Sequence, residues 1–280
     1  MKEKTYSTVL GAIHYWINDF QPERPTLVFL PGLTADHRLF DPQIGFFENR
    51  CNVLVWDAPG HAASRPFALR FSLDDKARWL HEILMAEGVK MPILVGQSMG
   101  GYVAQCYLEL FPGSLAGFVS IDSAPLQRKY VTATEIWLLR RMEPVYRAYP
   151  WKALLKSGTN GVADTQYGKQ LMHDMMSCYE KKEYCALAGH GFRILADAMA
   201  KNRAYRIDCP ALLLCGENDR AGSAKRYNHR WAEETGLPII WLKNAGHNSN
   251  TDVPDEVNAL LARFVTECME KEALKGAVTL

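Results

Sequence analysis

The sequence predicts an α/β fold: a mostly parallel central sheet flanked by helices, with a helical segment inserted between two of the later strands. Three observations predict it. Short, continuously apolar runs recur along the chain and stop at Gly or Pro, and longer segments between them carry apolar residues at helical spacing. The alternation then lapses over 124–207, where helical patterning continues with no strand in between. Runs that are apolar at every position, instead of every second one, indicate a sheet covered on both faces. The expected division is a core of 1–123 and 208–280 and a helical cap of 124–207.

Taken in order, residues 5–10 and 12–17 are expected to form a hairpin turning near Gly11. Residues 26–30 read as a buried strand halted by Pro31-Gly32, and 52–57 as a second halted by Pro59-Gly60. Ser72 is placed to cap a helix whose apolar face is Trp79, Leu80, Ile83 and Leu84, ended by Gly88. Residues 92–96 form the third strand, 99–111 a helix stopped by Pro112-Gly113, and 117–122 the fourth strand. Within the insertion, Thr132 and Glu135 have capping-box spacing, followed by Ile136, Leu139 and Val145 at roughly helical intervals. Further helices are expected over 164–180 and 184–201. Strands at 211–216 and 238–242 complete the sheet. A last helix runs from 254 to 269, with Val257, Leu260, Leu261 and Phe264 on one face.

With 280 residues, 48% of them hydrophobic and 22% charged, the chain can bury a sizeable core without disulfides or metal. A formal charge of +1 provides no broad field to attract nucleic acid or an anionic membrane. The seven cysteines show no zinc-site spacing, and most lie in or beside apolar runs, so reduced core thiols are expected. Neither an uninterrupted apolar leader nor a run of about 18 apolar residues occurs. The expected setting is cytoplasmic, with a small-molecule substrate.

The sharpest chemical signal is Gly96-Gln97-Ser98-Met99-Gly100, directly after one expected strand and before an expected helix. A serine at so tight a turn needs small neighbours and projects its hydroxyl above the sheet edge, beside the free N–H groups of the helix start. A hydroxyl is a weak nucleophile at neutral pH and needs a base. His247, in the loop after the last expected strand, can reach back over that edge. The other histidines lack this placement and are expected mostly on the surface or on helix faces. An acid must then fix the imidazole tautomer. Asp219 follows the strand at 211–216 and is favoured; Asp122, at the end of the strand before the insertion, is the competitor.

The order Ser98, Asp219, His247 resembles that of the α/β-hydrolase superfamily. So do Leu30-Pro31-Gly32-Leu33 after the early strand and Asp57-Ala58-Pro59-Gly60-His61 after the next, and the likeness spans nearly the whole chain. It implies a helical cap over 124–207 and a cofactor-free, metal-free acyl transfer. It also implies an oxyanion hole made by the N–H groups of Met99 and of Leu33, with Thr34 the next match for the latter. Two departures stand out: Pro31-Gly32 where many members carry His-Gly, and Gly60-His61-Ala62 where many carry Gly-x-Gly. The expected activity is cleavage of an ester or related acyl bond in a small to medium apolar substrate. Carbon–carbon bond hydrolysis, lactone opening, cofactor-free haloperoxidation and slow-turnover ligand reception remain alternatives on the same residues. Trp137, Met142, Tyr146, Met175, Met176, Phe192 and Leu195 are expected in the cap, more as helix core than as pocket lining.

Overall fold

The computed structural model describes residues 1–278. The chain runs β1 (Lys2–Thr8), β2 (Gly11–Ile17), β3 (Thr26–Leu30), α1 (Asp41–Phe47), β4 (Asn52–Trp56), α2 (Leu73–Ala86), β5 (Ile93–Gln97), α3 (Met99–Leu110) and β6 (Gly117–Ile121). Five helices follow: α4 (Ala133–Leu139), α5 (Met142–Ala148), α6 (Trp151–Val162), α7 (Gln166–Ser177) and α8 (Lys181–Ala200). The order closes with β7 (Ala211–Gly216), α9 (Ala224–Thr235), β8 (Ile239–Leu242), α10 (Ser249–Asp252) and α11 (Pro254–Val278). The strands form one eight-stranded sheet in the order β1-β2-β4-β3-β5-β6-β7-β8. The β1–β2 and β2–β4 pairs are antiparallel and the remaining pairs parallel.

Because side chains alternate along a strand, each apolar run feeds two cores. Val28, Leu30, Leu54, Leu94, Phe118 and Leu213 pack with Leu80 of α2, Val103 of α3 and Trp231 of α9. Leu27, Val53, Val55, Val95, Val119 and Leu212 point the other way, onto Phe47 of α1 and the Val257, Leu261 and Phe264 stripe of α11. This is why the strands read as unbroken apolar runs. Burying each such side chain contributes about 1.5–3 kcal/mol.

The capping boxes at Ser72 and Thr132 both form, each hydroxyl accepting from the backbone N–H three residues on. Several boundaries differ from expectation. The first hairpin begins at Lys2 and turns at Val9-Leu10, so its strands lie up to three residues earlier than 5–10 and 12–17. The spacing that ran Ile136, Leu139 and Val145 together spans two helices. α4 ends at Leu139 and α5 starts at Met142, and Val145 faces solvent. Met175, Met176 and Leu195 are core residues, whereas Trp137 is half exposed. Of the histidines other than His247, His61 in the loop after β4 and His190 on the inner face of α8 are buried. The helices α1 and α9 had no clear sequence signal. Among the described residues no helix is long and apolar enough to cross a membrane.

Candidate active site

Ser98 links β5 to α3 with φ 48° and ψ −114°, in the positive-φ region that side chains disfavour. Strain of this kind costs about 1–3 kcal/mol and persists only where the surroundings fix it. The flanking glycines are part of that fixing. A Cβ at Gly100 would overlap the backbone carbonyl of Leu30 in β3, and one at Gly96 would run into the backbone of Gly100 and Gly101. A Cβ at Gly101 would lie 2.5 Å from Cβ of Ser123. The turn is pinned further by Ser98 N–H, which donates to the Ile121 carbonyl at 2.9 Å.

His247 and Asp219 arrive from the loops after β8 and β7, which leave the sheet at adjacent positions, Gly216 opposite Leu242. Gly216 is required there, since a Cβ would strike the carbonyls of Ala245 and Gly246. His247 Nε2 lies 2.8 Å from Ser98 Oγ, and His247 Nδ1 lies 3.0 and 3.1 Å from the two Asp219 carboxylate oxygens. A carboxylate only accepts, so Nδ1 carries the proton and Nε2 is left free to accept from the serine hydroxyl. The Asp219 carboxylate is itself held by Ala221 N–H at 2.8 Å. Burial pushes the His247 pKa down, but the adjacent Asp219 charge, with Asp122 behind it, outweighs burial and leaves it raised.

The competitor Asp122 does not hydrogen-bond the imidazole. Its fully buried carboxylate accepts from Gly216 N–H (2.7 Å), Ser249 N–H (2.9 Å) and Ser249 Oγ (2.5 Å). It thus ties the Asp219 loop to the His247 loop from below. Burial, then repulsion from Asp219, raises its pKa.

Several supporting residues escaped the sequence reading. Gln97 Nε2 donates to the His247 carbonyl at 2.8 Å and to Asn248 Oδ1 at 3.2 Å. Its position beside Ser98 was the one available hint. Asp252 accepts from Gly246 N–H (2.9 Å), Asp164 N–H (2.9 Å), Thr165 N–H (2.8 Å) and Thr165 Oγ1 (2.7 Å). Asn248 N–H donates to Val162 O at 2.6 Å, and Asn218 Nδ2 to Asp164 Oδ2 at 2.6 Å. The α6–α7 turn is therefore bound to both loops that carry the predicted base and acid. No local pattern marks Asp252 in sequence.

The two predicted oxyanion segments flank the same point. Met99 is the first residue of α3, where an N–H has no acceptor in its own helix. On the other side, a Cβ at Gly32 would lie 3.2 Å from Ser98 Cβ, so the loop carrying Leu33 and Thr34 abuts the elbow. The Leu33 side chain rests against Gly191 of α8, and Thr34 takes φ 65° with Oγ1 donating to Leu33 O at 2.6 Å. Two clusters bring potential metal-ligand atoms within 4.8 Å of one another, Asp36–His37–Asp57 and Asp122–Cys215–Asp219. Their carboxylates already accept from Arg38, from His37 and Ala63 N–H, and from the partners given above.

An elbow serine joined through an imidazole to a carboxylate, at the carboxyl edge of a mostly parallel sheet, defines a class, and the α/β-hydrolase family model matches residues 27–260. The chain belongs to that family. It is 27% identical over 259 residues to 2-succinyl-6-hydroxy-2,4-cyclohexadiene-1-carboxylate synthase of Salmonella paratyphi C (strain RKS4594), covering 88% of this chain and 95% of that protein. In structure it is similar to a hydrolase from Pseudomonas aeruginosa PA01 (TM-score 0.80, 19% identity, 94% of this chain and 98% of that one). It is also similar to the enol-lactonase from Burkholderia xenovorans LB400 (TM-score 0.77, 19% identity, 94% and 100%).

Proposed function

We propose that this α/β-hydrolase is a serine hydrolase that cleaves a carboxylic ester or related acyl bond of a small to medium apolar substrate through an acyl-enzyme. The observation that carries the reading is the continuous relay from Ser98 Oγ through His247 to Asp219. His247 Nε2 takes the Ser98 proton as Oγ bonds to the carbonyl carbon, and Asp219 stabilises the resulting imidazolium. The N–H groups of Met99 and Leu33 donate to the oxyanion. Collapse expels the alcohol, which leaves with the proton from His247, and a water activated by the same imidazole then releases the acid. In this reading 1–123 and 208–280 are the core and 124–207 the cap, an arrangement supported by the hydrogen bond from Asn248 N–H to Val162 O.

The test is labelling with a fluorophosphonate and mass mapping of the adduct. Attachment at Ser98 is expected, with loss of labelling and of p-nitrophenyl ester turnover in Ser98→Ala. Ester turnover in Ser98→Ala equal to that of the native protein would refute the assignment. A second reading is another reaction on the same three residues, favoured by a synthase among the relatives and an enol-lactonase among the fold neighbours. Product analysis over a panel of esters, lactones and carbon–carbon substrates separates the two.

A further inference from the structure

Beneath α8, on the β4 side of the candidate site, lies a group of basic side chains that the proposed chemistry does not use. Lys76, on the buried face of α2, is 1% exposed, and among the described residues its Nζ makes no hydrogen bond or ion pair. Its nearest aromatic neighbour is the Phe71 ring, 5.5 Å from Nζ. The same ring lies 4.5 Å, centroid to centroid, from the imidazole of His190 on α8. His61, on the loop after β4, is 1% exposed, and burial, with the Lys76 charge adding to it, lowers its pKa. Arg193, one turn along α8 from His190, has no carboxylate partner among the described residues.

Hydrogen bonding fixes what each imidazole offers. His61 Nδ1 faces the Pro59 carbonyl at 3.1 Å, so it donates there and Nε2 presents a lone pair. His190 Nδ1 faces the Arg193 guanidinium at 3.1 Å, which only donates, so Nε2 carries the hydrogen. Both Nε2 atoms are buried without a partner. The Phe71 carbonyl near His190 favours its N–H but makes no hydrogen bond to it. Burial alone brings the Lys76 pKa down to about 7, as befits an amine without a counter-charge. A buried amine that meets only a ring face, and a buried imidazole N–H with no hydrogen-bonded acceptor, are costly unless a ligand supplies the acceptor.

We propose that Lys76 and His190, which share the Phe71 ring, form a recognition site for a carboxylate group. The Lys76 ammonium and His190 Nε2–H each donate to a carboxylate oxygen. Placement ties this site to the reacting centre. His190 precedes Gly191, which packs on Leu33, and Gly32 abuts Ser98. The occupant is a carboxylate borne by an otherwise apolar acyl substrate; this assignment rests on the hydrolase reading, whereas the existence of the site does not.

Two measurements test it. Calorimetric titration of glutarate into Ser98→Ala protein needs no turnover: saturable binding is expected, weakened about 10- to 100-fold by Lys76→Met and less by His190→Phe. Lys76→Met is also expected to raise Tm, since a thioether of similar length replaces a buried amine that has no hydrogen-bond partner among the described residues. His190→Phe keeps a ring against Phe71 should the first variant misfold. With the native serine, p-nitrophenyl hemiglutarate is expected to be preferred over p-nitrophenyl butyrate in kcat/KM, and Lys76→Met to shrink that ratio about tenfold or more. Glutarate binding without any preference for the half-ester would assign the site to a free carboxylate and overturn the substrate assignment. Binding with no ester turned over at all would keep the site and sink the hydrolase reading. No glutarate binding, or binding untouched by Lys76→Met, would overturn the proposal.

Discussion

Replacing Asp219 by Asn removes one negative charge while keeping the shape of the side chain. In the native protein that charge sits 3.0 Å from His247 Nδ1, and both side chains are nearly enclosed. At an effective dielectric of about 20, a charge pair at this separation is worth about 5.5 kcal/mol, or about four decades in rate. Asp122 remains nearby and raises the His247 pKa from behind. It offsets part of the loss, so kcat/KM for an activated ester is expected to fall about 10³-fold. The pH profile provides a second readout. His247 must be neutral to act as a base, so activity rises with pH through its pKa, which Asp219 holds above the ordinary value. Without that charge burial wins, and the acid limb moves to lower pH although the plateau is lower. Steady-state kinetics of Asp219→Asn and Asp122→Asn from pH 5 to about 9 check both points. If Asp219→Asn stays within about threefold of native while Asp122→Asn loses about 10³, the acid has been misassigned.

Ser98→Gly removes the proposed nucleophile but relieves a positive φ, and is expected to raise stability in urea by about 1 kcal/mol. A fall instead would mean that the elbow is unstrained. Asp252→Ala leaves the N–H groups of Asp164, Thr165 and Gly246 without their acceptor. It is expected to cost about 3 kcal/mol and to speed amide exchange at 164–165 and 246 together; exchange changing at only one of these segments would contradict a shared clasp.

The core sheet was legible because it is covered on both faces, which turns alternating strands into unbroken apolar runs such as Leu27–Leu30 and Val53–Trp56. The elbow was legible because its glycines answer to backbone crowding that few other residues tolerate. The hydrogen bonds that distinguish Asp219 from Asp122 were not, since both end strands at the same sheet edge and only loop geometry separates them. Asp252 and Gln97 bond backbone atoms that are distant along the chain, and such partners leave no periodic trace. Lys76 was hidden for the opposite reason: it occupies a core position of an amphipathic helix, where a charge reads as a break in the stripe.

The Asp252 carboxylate couples the α6–α7 turn to the loop that carries His247. Any outward swing of the α6–α7 turn would have to break three contacts to one carboxylate and would drag on the loop that carries His247, which the same carboxylate holds through Gly246 N–H. The position of the turn and the position of the imidazole are thus linked through a single side chain rather than through the sheet beneath them.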